Sequence, residues 1–160
     1  MTTLYHGSDT IIRIPEIRMP NRTLDFGVGF YLTSSFEQAE AWIKRKLQNI
    51  KPVGYINVFH FDEQLADCKT LVFAKPDEQW LDFVMANRTQ PDFKHAYDIV
   101  KGPVANDRVY ASFALFEGGF ISKSELIDEL KTYKLVDQFL FHTALSLTKL
   151  QFIEAKEIAL

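Results

Sequence analysis

Apolar residues recur along this chain in two distinct periods, and the periods separate helices from strands. Phe36, Ala39, Ile43, Leu47 and Ile50 follow one another at three- and four-residue steps, which predicts an amphipathic helix with one stripe facing a core. Ser34 precedes Glu37 by three and Ser35 precedes Gln38 by three, so either serine can open that helix with a capping box, and Pro52 closes it. "VGYINVFHFD" alternates instead: Tyr55, Asn57, Phe59 and Phe61 share one face, while Ile56, Val58 and His60 share the other. Both faces are largely apolar, the mark of a strand covered on each side.

The same two periods organise the rest. "TLYH" reads as a short strand ended by Gly7-Ser8, followed by a loop over "DTIIRIPEIRMPNRTLD", which Pro15 and Pro20 interrupt. "GFYLT", "TLVFA", "YDIV" (stopping at Gly102-Pro103), "QFLFH" and "LQFIEAKEI" are further strands. Pro76 opens a helix over "PDEQWLDFVMANR", with Asp77 and Glu78 in its first turn, where the dipole favours acids. Asn106 is the N-cap expected for "DRVYASFALF", which Gly118-Gly119 end, and Ser122 with Glu125 forms a capping box for "KSELIDELKTYK". Strands lie at both ends with helices between them and no strict alternation, so the fold class is α+β. No linker or repeat divides residues 1–160, which read as one domain.

Composition narrows the functional classes. A chain of 160 residues sustains a core, since a domain of about 150 residues buries roughly 70% of the surface its unfolded chain exposes. The 14 phenylalanines predict thick aromatic packing between sheet and helices. Lysine and arginine total 18 against 21 acidic residues, so no global basic field recruits nucleic acid or an anionic membrane. "KRKLQNIK" is read as a solvated helix face, although Arg13, Arg18 and Arg22 in the long loop can build a local basic rim. The single Cys68 excludes an internal disulfide and fits a reducing, cytoplasmic location. The N-terminus lacks the regions of a signal peptide, and no apolar run approaches the ~18 residues of a membrane span.

Several chemistries drop out. His6, His60, His95 and His142 form no metal-ligand spacing, so no metal is expected. A GxSxG elbow is missing, Cys68 sits in an ordinary polar context, and "GVGFYL" enters a strand instead of leaving one, unlike a dinucleotide fingerprint. What remains is a cluster of strand-end groups near the N-terminus. Gly7, Gly27 and Gly29 are backbone that a flat ligand can approach without a Cβ in the way, and Tyr31 and Trp42 are aromatic faces able to bracket it. Each of these residues alone is more often plain core or surface. A second cluster, "HAYDIVKGPVANDRVY", offers Asp98, Asn106 and Asp107 around the Gly102-Pro103 turn.

"LYHGS" followed by "GVGFYLTSSFEQAEAW" resembles the ADP-ribosyltransferase superfamily in its diphtheria-toxin and poly(ADP-ribose) polymerase branch, where an aromatic stands eleven residues after the strand tyrosine, as Trp42 does after Tyr31. The order "LYHGS", "DFGxGFYLT", "YDIVxGPVAND", "QxxFHT" is similar along the whole chain to a bacterial family of uncharacterised domains in that superfamily. The resemblance implies a split β-sheet core with a central NAD cleft and flanking helices. It implies that His6, helped by Ser8, binds the adenosine-side ribose, and that backbone groups of Gly7 hold the nicotinamide amide. Gly29 and Phe30 stand beside Tyr31 in the matching motif, and Tyr31 with Trp42 brackets the nicotinamide ring. Ala39 stands where the family has a serine, which removes a hydrogen bond worth ~1 kcal/mol net. The family's catalytic glutamate is matched by Gln138.

A carboxylate there stabilises the oxocarbenium-like ribose, whereas glutamine holds a hydroxyl without charge and cannot act as a base. A turn that brings Asp98, Asn106 and Asp107 to one rim would place a compensating carboxylate there, although strand-end and helix-cap roles explain Asp98 and Asn106 as well. Asp137, one position before Gln138, would face the other way. The resemblance therefore implies mono-ADP-ribosyl transfer from NAD to a protein or nucleic acid, with a bacterial effector restrained by an antitoxin protein as the biological extrapolation. A catalytically silent module binding NAD or ADP-ribose is the second expectation. NAD-dependent removal of an RNA 2'-phosphate is the third.

Overall fold

The computed structural model of the protein describes residues 1–19, 24–104, 107–133 and 135–160, with Asp107 described by its backbone alone. In chain order the elements are β1 (Thr2–Ser8), β2 (Phe30–Thr33), α1 (Phe36–Leu47), β3 (Val53–Phe61), β4 (Thr70–Val72) and α2 (Glu78–Thr89). They continue with β5 (Ile99–Pro103), α3 (Asp107–Glu117), α4 (Lys123–Leu130), β6 (Asp137–Phe141), α5 (Ala144–Leu147) and β7 (Leu150–Ala159). Among the described residues the strands form one open, mixed sheet in the order β4-β5-β6-β2-β1-β3-β7, so the class is α+β, as the pattern predicts. Only β4 and β5 run parallel; the other neighbours are antiparallel. None of the described helices is long and apolar enough to cross a membrane.

Capping follows the sequence in full at α4 and in part at α1, where Ser35 caps without the reciprocal bond of a capping box. Ser35 caps α1 by accepting the Gln38 N–H, and Ser122 and Glu125 form a full capping box on α4. Asp77 is the cap of α2 and not part of its first turn: its carboxylate accepts the Trp80 N–H at 3.0 Å. Other boundaries differ from the pattern. Gly7 and Ser8 continue β1 because they pair with Ile56 and Tyr55, and Gly102 and Pro103 continue β5 opposite Gln138 and Asp137. Strand pairing there outweighs local turn preference. Helix α1 ends at Leu47, Asn49 takes a left-handed conformation (φ 66°), and Ile50 lies outside the stripe and exposed. The short α5, capped reciprocally by Thr143 and Ser146, is too brief to leave a periodic signal.

The sheet is strongly curled. Strands β3 and β6 are three places apart, a separation of about 14 Å in a flat sheet. Yet the Phe61 ring of β3 meets Phe141 and Phe139 of β6 at centroid distances of 5.3 and 5.9 Å. The two halves therefore fold over one another around β1 and β2, and Leu4, Phe30, Leu32, Phe59, Phe61, Ile99, Phe139 and Phe141 fill the space between them. Much of the phenylalanine content thus joins sheet to sheet, where the sequence suggested sheet to helix. On the other face, Ala39 and Ile43 of α1 pack on Ile56, while α2, α3 and α4 cover Val100 and Leu140 with Trp80, Leu81, Val109, Phe113 and Leu126.

Candidate functional site

The junction between the two halves is incomplete. Strand β1 registers with β3 at every residue from Thr2 to Ser8, but with β2 only at Tyr5↔Thr33. Past that pair a side chain bridges the strands: His6 Nδ1 lies 2.6 Å from the Tyr31 carbonyl, and the imidazole stacks on Phe30 at 4.2 Å and 23°. A carbonyl only accepts, so the proton sits on Nδ1 and Nε2 carries a lone pair. Burial pushes the His6 pKa below its ordinary value, and the bond to the Tyr31 carbonyl opposes this only in part, which keeps the ring neutral near pH 7. Nε2 has no partner among the described residues, where no buried side-chain nitrogen or oxygen is left unsatisfied. It is therefore an accessible acceptor.

The site's floor is tied from beneath by Asn57, a fully buried amide among the aromatic rings of β3. Its Oδ1 accepts the Ile12 N–H at 2.8 Å, and its Nδ2 donates to the carbonyls of His6 and Thr10 at 3.3 and 3.2 Å. Asn57 thereby fastens the loop after β1 to the strand that carries His6. Its signal in the sequence is a polar residue on an otherwise aromatic face.

A cavity of about 850 Å³ opens beside this junction. His6, Gly7, Ser8, Gly29, Phe30, Tyr31, Trp42 and Gln138 all line it, so the structure gathers the N-terminal cluster and the strand β6 glutamine into one place. Tyr31 is fixed at its tip: its hydroxyl donates to the Gly27 carbonyl and accepts the Phe26 N–H at 3.1 Å, leaving the half-buried ring as wall. Gln138 pairs with Thr33 on one side and Gly102 on the other, and its side-chain amide has no partner among the described residues. Asp137 does face away, pairing with Lys101 at 3.7 Å.

Several sequence assignments need correction. The Cβ space at Gly7 belongs to α1: a Cβ there would overlap Ile43 Cγ2 and lie 3.0 Å from the Ala39 carbonyl. A Cβ at Gly29 would overlap the Phe141 carbonyl and Leu140 Cδ1, and Gly27 needs its positive φ of 94° to turn the loop beneath Tyr31. These glycines admit protein neighbours on their Cβ side, where the sequence suggested ligand. Phe30 is buried in the aromatic interior and supports His6 from behind. Ser8 Oγ accepts the Thr10 N–H at 3.2 Å and so shapes the loop at the cavity edge.

Asp98 is not at the cavity. It lies beyond the far end of the β5–β6 ladder from Gln138, with its carboxylate accepting from Lys69 N at 2.7 Å and Thr143 Oγ1 at 2.6 Å. Those two bonds, that to Thr143 first, hold its carboxyl below the usual range, and both serve to join a turn to a strand end. Asn106 and the Asp107 side chain lie outside the described residues, as does Arg22.

Charged residues that the sequence left aside complete the lining. Arg45 and Lys46, within the run read as solvated surface, line the cavity together with Trp42. They follow Trp42 by three and four positions, the spacing that shares a helix face. Across from them Arg88 meets Asp25 at 3.5 Å and Glu117 at 3.9 Å and lies over the rings of Tyr110 and Phe113. Arg18 pairs with Glu16 at the rim, whereas Arg13 lies over Phe152. The arrangement can hold an elongated ligand with a hydrogen-bond donor at His6, an apolar or aromatic portion near Tyr31 and Trp42, and anionic groups near the basic side chains.

No curated protein matches this chain by sequence. A family profile described as Protein of unknown function (DUF3990) matches residues 2–152, and with nearly the whole chain covered, the protein belongs to that family.

Proposed function

We propose that the cavity binds NAD and that the protein is a mono-ADP-ribosyltransferase of the split-sheet type, acting on a macromolecular acceptor. The observation that carries this reading is the meeting of His6, Tyr31, Trp42 and Gln138 on one cavity at the seam of the curled sheet. Its volume falls within the ~300–1,000 Å³ of ordinary ligand pockets. The neutral His6 ring supports it further, because Nε2 is an acceptor and a ribose hydroxyl is a donor.

In the proposed reaction the bond between nicotinamide nitrogen and ribose C1' breaks, and its electron pair leaves with nicotinamide. An acceptor oxygen or nitrogen attacks C1' and releases its proton. Gln138 holds a ribose hydroxyl during this step, but its amide contributes no full negative charge to the developing cation. Among the described residues, the carboxylates lining the cavity are Glu16, Asp25 and Glu117, each with an arginine partner. Single transfer with slow turnover is the expected regime.

The test follows label from NAD into polymer together with free nicotinamide, using cell lysate, isolated RNA and isolated DNA as acceptors. Transfer that disappears in Tyr31→Ala and Gln138→Ala supports the enzyme. NAD binding with neither transfer nor nicotinamide release favours a second reading, a silent NAD or ADP-ribose module, which the missing carboxylate at Gln138 motivates. Failure to bind either NAD or ADP-ribose removes both.

A further inference from the structure

Two histidines that the proposed reaction leaves unused meet below the cavity wall. The rings of His95 and His142 lie 4.3 Å apart, 35° from parallel. His95 Nε2 donates to the Phe26 carbonyl at 2.8 Å, and His142 Nδ1 donates to the Val28 carbonyl. Between those two carbonyls sits Gly27, whose own carbonyl accepts the Tyr31 hydroxyl, while the Phe26 N–H donates back to that hydroxyl. Three consecutive carbonyls are thus held by two imidazoles and one phenol.

We propose that His95 and His142 are positioning residues for Tyr31 that latch residues 26–28 beneath the cavity wall, and that the latch weakens when His95 takes up a second proton. The tautomer of His95 is fixed by its partners: Nε2 must donate to Phe26, and Nδ1 accepts the Tyr97 N–H at 3.2 Å. A second proton would enter at Nδ1 and oppose the Tyr97 N–H. The Nε2–H donor to Phe26 survives, so the latch weakens because the charged ring is driven from its seat against the Tyr97 N–H and the Phe83 and His142 rings, and not because its own donor is lost. Burial accordingly holds the His95 pKa below its ordinary value; the Phe26 carbonyl works against this, and the neighbouring His142 reinforces it.

Among the described residues, the surroundings offer no acid to offset a charged ring. From α2 His95 meets the Phe83 ring at 5.3 Å, and on its own segment Tyr97 at 5.7 Å. Arg88, also on α2, is directed to Asp25 and Glu117. Asp98 receives the His142 backbone N–H on its carbonyl but spends its carboxylate on Lys69 and Thr143, and Lys94 is exposed. Among the described titratable groups, His142 alone bears on the His95 charge.

With the folded pKa depressed, the unfolded or released loop binds the proton first. The latch is therefore intact above the ordinary histidine value of about 6.5 and is progressively lost as pH falls below it. The functional meaning of the latch rests on the NAD reading, but the latch itself is measured on the full chain without nucleotide.

Amide protection of Phe26 against hydrogen exchange, followed by NMR from about pH 7.5 to about pH 5, reports it directly. We expect protection at Phe26 to fall severalfold while Ile56 in β3 keeps its protection. His95→Gln retains an amide donor for the Phe26 carbonyl without a titrating ring and should flatten the profile. His142→Asn, which keeps a donor for Val28, should make it shallower. Phe26 protection that tracks Ile56 in the native protein, or an unchanged fall in both variants, overturns the proposal. NAD affinity measured over the same pH range separates the two readings. A Phe26 transition without NAD binding at any pH removes the nucleotide and leaves the latch.

Discussion

The two edges of β1 show how one strand can hold a sheet together and open it. Toward β3 it forms an unbroken seven-residue ladder; toward β2 it forms one registered pair and then yields to an imidazole. The first edge is backbone holding backbone and tolerates most side chains. The second depends on a handful of groups: His6 bridges to the Tyr31 carbonyl, Phe30 backs the imidazole, and Asn57 ties the loop after β1 to the strand that carries His6. A cavity arises where backbone pairing is replaced by side-chain chemistry, and that replacement makes the seam sensitive to substitution and to pH.

Removing what closes the halves over one another should have the largest effect. Phe61→Ala deletes the ring that bridges to Phe139 and Phe141, and a loss of about 3–5 kcal/mol in chemical denaturation is expected. Gly29→Ala pushes a Cβ into the Phe141 carbonyl on the β2–β6 side, with an expected cost of about 1–3 kcal/mol and a lowered thermal midpoint. Asn57→Ala acts under the seam, stranding the Ile12 N–H and the His6 and Thr10 carbonyls. A loss of about 1–3 kcal/mol should appear together with weaker NAD binding by calorimetry.

The smallest effect, and the most selective for the open edge, is the pH response of His6. Its folded pKa is depressed by burial, so its contribution to stability is present above the unfolded value of about 6.5 and is lost as pH falls. His6→Asn keeps a donor for the Tyr31 carbonyl and removes the titration. The difference in thermal midpoint between pH 7.5 and 5.5 should therefore be smaller in the variant than in the native protein, by about one degree or a few for a chain of this size. Equal slopes would assign the acid sensitivity elsewhere.

Legibility in the sequence followed the range of the interaction. The α1 stripe through Phe36, Ala39, Ile43 and Leu47 and the serine caps were readable because their partners lie within one or two helical turns. So was the alternation of β3, including the odd position of Asn57. The union of His6, Tyr31, Trp42 and Gln138 was anticipated through motif resemblance, not from any local rule. Asp98 misled because a carboxylate at a strand end looks the same whether it serves a turn or a substrate. Arg88, Asp25 and Glu117 stayed hidden because their meeting depends on how α2 and α3 sit on the sheet. The curl itself was invisible, since period two records which face a phenylalanine occupies but not that two distant strands share that face.

The ordering of the strands also constrains how the chain is made. β3 is an aromatic, nearly uncharged strand whose outer edge pairs with β7, Phe61 with Leu150 and Val53 with Ala159. On a ribosome that edge stays unsealed while all the intervening elements are synthesised, a long-range closure that slows assembly and leaves a template for intermolecular pairing. The segment "VGYINVFHF" therefore keeps an open strand edge until residues 150–159 have been added, and the last strand of the chain is the one that seals it.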